Sequence, residues 1–136
     1  IGVDMDVRVP VGNHHLVMTI DLIREMQYDD RRLIEVVRFT NTQKKVDTFY
    51  VNHNIPLTAH SYAFRKLFNA TENRLIIQHM KSGKEYFTVR KEPEFRRLEA
   101  IVNGVCEAIQ RNEFYPVHNM QCSKCLYKDL CDKYKF

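Results

Sequence analysis

Cys122, Cys125 and Cys131 sit in the closing stretch "MQCSKCLYKDLCDKYKF" at a spacing of C-x2-C-x5-C. Two thiolates separated by two residues can grip one metal ion from a tight turn, and a third arriving six positions later closes the site. A disulfide framework fits poorly, because three thiols this close, a distant fourth and no secretory pattern do not staple an extracellular domain. The fourth ligand stays open. His118, four residues before Cys122, would complete a Cys3His zinc site. Cys106 is a second candidate, although its place in a helical stripe also suits a small core residue. The third is a cysteine preceding Ile1. Four thiolates would favour an iron–sulphur cluster over zinc. The tail is short and charged, so a packed helix is not expected there.

The elements that must carry such a tail are legible upstream. Val3, Met5, Val7, Val9 and Val11 alternate with polar residues and predict a half-buried strand over 3–11. Gly12-Asn13 is a turn signal, and "HHLVMTIDLIREM" reads as the hairpin partner, a strand over 15–26. "RLIEVVRFTN", rich in β-branched residues, predicts a third strand over 32–40. Residues 41–54 read as a polar connection, and Pro56 opens a helix over 57–68. "NRLIIQHM" and "EYFTVRK" flank a Lys81–Lys84 turn and form a second hairpin. Pro93 opens a last helix to about Arg111, with Phe95, Leu98, Val102, Val105 and Ile109 as its buried stripe. The order β-β-β-α-β-β-α is that of a mixed α/β domain.

Composition sets the outer bounds. The chain has 136 residues, enough for one domain with a core that needs no disulfides. No apolar run approaches the ~18 residues of a membrane span, and the start lacks a signal-peptide pattern. An intracellular setting, cytoplasmic or nuclear, is expected. The sequence opens on strand-like residues without Met, so a longer parent protein is expected too. The net charge of +4 is mild. Its surplus gathers at Arg90, Lys91, Arg96, Arg97, Lys124, Lys128, Lys133 and Lys135 and suits a polyanion. Two aromatic-basic clusters, "EFYPVH" and "CLYKDLCDKYKF", offer stacking and phosphate contacts to single-stranded DNA.

Taken in order, "TIDLI", "LIEVVRFTN", "SYAF", "RNEFYPV" and C-x2-C-x5-C resemble the RecB/AddB-like branch of the PD-(D/E)XK nuclease superfamily, in its iron–sulphur members. That family's pattern runs roughly G-x-I-D-x-I, an apolar strand ending D-Y-K-T-G, Q-x-x-x-Y on a helix, then an aromatic-Pro segment and the cysteines. The resemblance spans nearly the whole chain. It implies a restriction-endonuclease-like core, a mixed sheet flanked by helices, over 1–116, with the cysteine tail over 117–136 as part of the same domain. It further implies a [4Fe–4S] cluster on Cys122, Cys125 and Cys131, whose first cysteine lies upstream of the core, with zinc as the alternative. Two carboxylates on adjacent strands would hold Mg²⁺ or Mn²⁺, which prefer oxygen ligands, and a lysine would help stabilise charge on the phosphate. Asp21 in "IDLI" takes the first carboxylate position.

The second half of the motif departs from the family. With Thr40-Asn41 placed on Thr-Gly, Val37 stands at the acid position and Phe39 at the lysine position. Sliding by two puts Glu35 on the acid but leaves Val37 for the lysine, and strand alternation sends Arg38 to the face opposite Glu35. Tyr62 of the helix motif is kept, Thr58 replaces its Gln, and Met18 replaces the Gly before "ID". Lys44, Lys45 or Lys66 would have to supply the missing ammonium. The resemblance therefore implies a DNA-acting nuclease domain, on single strands or duplex ends, with impaired or lost hydrolysis. It would work with other domains or subunits in replication, recombination or repair. A catalytically inactive DNA- or protein-binding scaffold is the alternative, and a zinc-ribbon module the second alternative.

Overall fold

The computed structural model describes residues 1–114 and 116–133. Five strands form one mixed sheet in the order β1-β2-β3-β4-β5. Strands β1 (Gly2–Val11), β2 (His14–Tyr28) and β3 (Arg31–Thr40) make an antiparallel meander. Strand β4 (Arg74–His79) then pairs parallel to β3, and β5 (Glu85–Thr88) closes the sheet antiparallel to β4. The second hairpin thus extends the sheet of the first, as the strand pattern implies. Gly12, at φ +57°, takes the first position of the two-residue β1–β2 turn, where a side chain would be strained.

Two helices fill the crossover between the parallel strands. The short α1 (Thr48–Asn52) falls in the stretch read as a polar connection, where Asp47 accepts the Tyr50 amide at 2.8 Å and caps it. Helix α2 (Ile55–Phe68) starts at Asn54, whose Oδ1 accepts from the Leu57 amide at 2.9 Å, and ends at Asn69 in the left-handed conformation. It lies against β1, β3 and β4. Leu57, Ala63 and Phe64 of α2 pack with Val9, Val11, Ile20, Ile23, Val36, Leu75 and Ile77 into the main core. Helix α3 (Glu92–Gln110) adds Phe95 and Leu98 to that core, with Val102 partly buried. The stripe stops there: Val105 and Ile109 are both 54% exposed, against the expectation of burial along the full helix.

Contacts divide the chain into two compact units, Ile1–Gly104 and Val105–Phe136. The second holds the cysteines. A 3₁₀ turn runs over Cys122–Lys124, and α4 (Lys128–Lys133) packs on it, so a short helix does form in the tail. Its exposed Lys128–Asp132 pair, one turn apart, supplies local support that charge counting alone hides.

One irregularity matters for the site. In β1, Met5, Val7, Val9 and Val11 face the core, yet Val3 is 68% exposed. In β2, Ile20 and Ile23 are both fully buried in that core although they are three residues apart. A regular strand would send them to opposite faces. The phase changes between the pairs Met5↔Ile20 and Val3↔Leu22, where Asp4 adopts φ +47° and stands beside Asp21.

Candidate functional site

Asp21 occupies the point where that change of phase opens the sheet. The β2–β3 ladder runs from Tyr28↔Arg31 to Leu22↔Val37 and stops. The next residue on each strand is Asp21 and Arg38. Instead of a backbone pair, the Asp21 carboxylate reaches across, and its Oδ2 accepts the Phe39 amide hydrogen at 2.8 Å. The two strands thus fork around a carboxylate, which is half-buried. His60, projecting from α2, is 6% exposed and feels the charges of both Asp21 and Arg38. Burial drives its pKa below the usual value; the Arg38 charge adds to that, while Asp21 and a hydrogen bond to the Thr19 backbone oppose it. Two buried side-chain atoms here lack a partner among the described residues: Arg38 Nη1 and His60 Nδ1.

The structure does not bring Glu35 to this fork. Glu35 pairs with Arg24 across the sheet, on the face away from α2, and is fully buried. Arg24 Nε donates to its Oε2 at 2.6 Å, and Arg74 Nε donates to Oε1. Arg24 continues to Glu85 at 2.9 Å, and the Arg74 guanidinium lies over the rings of Phe87 and Tyr28. Both carboxylate oxygens are therefore engaged by guanidiniums and have little left for a metal ion.

The remaining motif positions are occupied structurally. Tyr62 shares its hydroxyl between the Pro10 carbonyl and Glu99, both at 3.3 Å. Burial raises its pKa, and Glu99 raises it further. Thr58 accepts from the buried Arg90 at 2.7 Å. Met18 packs against the core. Lys66 sits over the Tyr62 ring at 5.4 Å. Lys44 and Lys45 belong elsewhere: with Lys81, Lys84, His79, Ser82 and Tyr86 they line an open cleft of about 390 Å³ that has no acidic side chain in its wall. His79 fixes that wall, its ring nitrogens meeting Ser82 Oγ at 2.9 Å and the Thr42 carbonyl at 3.1 Å. The chain passes from Arg38 at the fork to Thr42 at the cleft in four residues, at most ~13 Å of extended backbone.

In the tail, Cys122 and Cys125 bracket the 3₁₀ turn, closed by the Cys125 amide on the Cys122 carbonyl at 3.3 Å. The Asn119 amide donates to Cys122 Sγ at 3.2 Å. Cys131 rides on α4. A hydrogen bond from Lys128 to Asp132 and the Asp132 charge raise the Lys128 pKa, with Cys131 and Cys122 contributing less. All three thiols are free, His118 is exposed, and Cys106 is part-exposed on α3. The donor set, sulphur with an amide hydrogen bond to one thiol, suits a thiophilic metal. Among the described residues no three His, Cys, Asp or Glu side chains are arranged around a common point. Tyr115, Tyr134, Lys135 and Phe136 of the aromatic-basic clusters lie outside the described residues.

Two groups at these sites carry no motif signal in the sequence. His60 lies immediately before "SYAF" on α2, where a lone histidine reads as core. Lys81 and Lys84 read only as turn residues, and nothing in one sequence brings them to Lys44 and Lys45.

A family model described as the PD-(D/E)XK nuclease superfamily matches residues 2–132. Among solved structures, the crystal structure of SSO0001 is similar over 96% of this chain, at 14% identity and a TM-score of 0.48. The chain spans 59% of that protein's length. No curated protein matches it.

Proposed function

Because the chain belongs to the PD-(D/E)XK nuclease superfamily, we propose that it binds DNA through a nuclease fold whose phosphodiester hydrolysis is weakened or lost. The observation that carries this is the state of β3. Opposite Asp21 stand Val37, Arg38 and Phe39, and the one acid of that strand is clamped by two arginines on the other face. A group that offsets charge in the transition state is typically worth ~10²–10³ in rate, so loss of the lysine alone predicts a deficit of at least that size. Phosphate contacts draw on many scattered cations and survive such a loss. The Lys44–Lys45–Lys81–Lys84 cleft offers them.

The C-x2-C-x5-C tail supports assignment to the RecB/AddB-like branch and a metal centre on Cys122, Cys125 and Cys131, an iron–sulphur cluster before zinc. That branch fits replication, recombination or repair as a part of a larger intracellular assembly. Among the described residues no helix is long and apolar enough to cross a membrane.

The test incubates the purified chain with single- and double-stranded DNA and Mg²⁺ or Mn²⁺, beside Asp21→Ala and Glu35→Ala variants. Salt-sensitive binding without cleavage is expected. Robust cleavage abolished by both substitutions would overturn the reading, because it requires Glu35 in the site.

A further inference from the structure

We propose that the cleft between the β3–α1 connection and the β4–β5 turn receives a terminal phosphate monoester, the charged end of a nucleic-acid strand or of a free mononucleotide. This rests on the reading of the chain as a nucleic-acid-binding member of its superfamily, and adds to it which phosphate the lysines take. Contacts to backbone phosphates need only scattered cations. A strand end needs a place built for it.

Lys44 and Lys45 enter the cleft from one loop, Lys81 and Lys84 from the other, with Tyr86 beside them. Hydrogen bonds fix both loops. The Thr42 amide donates to Thr40 Oγ1 at 3.3 Å and the Lys44 amide to Thr42 Oγ1 at 3.1 Å, which sets the course of the first. In the second, Gly83 takes φ +71° and its amide meets the His79 carbonyl at 2.8 Å. His79 joins the two. Its Nε2 faces the Thr42 carbonyl, which can only accept, so in the neutral ring Nε2 carries the proton and Nδ1 accepts. Ser82 donates to Nδ1 from its hydroxyl at 2.9 Å and from its amide at 3.2 Å. Ser82 Oγ in turn accepts the Lys84 amide at 3.3 Å. The four lysines therefore spring from two loops tied to one imidazole.

Charge and size select the ligand. Among the described residues none of the four lysines is in an ion pair, and no acidic side chain lines the cleft. A cleft of one sign concentrates its field on the anion that enters it. A backbone diester brings a single negative charge and would leave most of the positive charge uncompensated. A phosphate monoester brings about −1.5 to −2 at neutral pH and three strong acceptor oxygens. These match ammonium groups that each hold three donors and no acceptor. The volume of about 390 Å³ stands at the small end of ligand pockets, which run ~300–1,000 Å³, so it suits one nucleotide and not a helical segment. Tyr86 offers a ring to the terminal base.

The experiment measures binding of the whole chain to short, internally labelled single strands by fluorescence anisotropy, in buffer without added divalent metal so that no strand is cut. The strands carry a 5′-phosphate, a 3′-phosphate or hydroxyls at both ends. A hydroxyl-ended strand lengthened to the same total charge controls for charge alone. At least one phosphorylated strand should bind ~10-fold or more tightly than that control, the worth of one charge-assisted hydrogen bond. The end that carries the effect gives the polarity. A nucleoside monophosphate, added as competitor beside inorganic phosphate, separates the two sources: displacement at the strand's own concentration range assigns the site to free nucleotide, and weaker displacement assigns it to the strand end. Lys81→Gln with Lys84→Gln, and separately Lys44→Gln with Lys45→Gln, should each erase the preference. Thermal melting checks that each is folded, and if one pair does not fold the other decides. Equal affinity for the phosphorylated and charge-matched strands, or a preference that survives in a folded double variant, overturns the proposal. Salt-sensitive binding of hydroxyl-ended strands that persists in that case leaves the nucleic-acid reading standing. A chain that takes the nucleoside monophosphate through these lysines but binds no strand keeps the phosphate site and removes that reading.

Discussion

Glu35 meets two guanidiniums at once, while Asp21 meets a backbone amide and a buried imidazole; the two acids have different work. Replacing Glu35 by Gln leaves two arginines around a neutral group in a buried position. A loss of roughly 2–4 kcal/mol is expected, somewhat below a fully buried pair because both guanidiniums reach solvent. Urea unfolding measures it. A variant of unchanged stability would mean that water takes over the two guanidiniums. His60 gives a pH signature in metal-free buffer. Its folded pKa lies below the ordinary 6.5, so the unfolded chain takes up the proton first as pH falls. Stability contributed by this residue is therefore full above about 6.5 and declines as pH drops from there through the folded value. Asp21 and Arg38 are the charges that face it. His60→Gln should flatten the unfolding free energy in that acidic window. An unchanged slope would place the dependence on other groups.

At the scale of elements, the strands were open to reading because a half-buried sheet writes period two into its residues, and 3–11, 15–26 and 32–40 each lie within the observed strands. Alternation cannot show where a phase resets. Ile20 and Ile23 both face the core, and this shift, invisible in "TIDLI", decides which face Asp21 serves. Glu35 looked available because a sequence names an acid without naming its neighbours; Arg24 and Arg74 reach it from two other strands. The five-residue α1 is too short for helical periodicity to register, and the exposed half of α3 keeps an apolar stripe that reads as buried. Arg90 ties these pieces together, donating to Thr58 Oγ1 at 2.7 Å and the Val51 carbonyl at 2.9 Å. Arg90→Met would strand those acceptors, and a loss of ~2–4 kcal/mol is expected in thermal or urea unfolding. A loss under half a kcal/mol would mean that water replaces the guanidinium. For the tail, iron or zinc in anaerobically prepared protein is the expected result of elemental analysis. Chelation should then raise amide exchange across Cys122–Lys133, since metal binding and folding are coupled. Neither metal in fresh protein would remove the centre.

For the whole molecule, a net charge of +4 is modest, and placement counts for more. Four lysines from two distant segments share one cleft without an acid among its lining residues. Lys81→Glu with Lys84→Glu should weaken binding uniformly across DNA sequences and flatten the dependence of log K on log salt by about two. An unaltered salt slope would send the phosphates to another surface. Strand β1 carries a further implication, as an edge of the sheet with ten residues. A long free edge is a template on which a second chain can nucleate fibrillar growth. Here Asp4 bends away in a left-handed conformation and Pro10 offers no N–H, so only the five residues between them can present an unbroken edge. The kink that prepares Asp21 for its role thus also shields the domain from templated self-assembly. Straightening the edge with Asp4→Val and Pro10→Thr should turn a clear concentrated solution turbid, as light scattering would record.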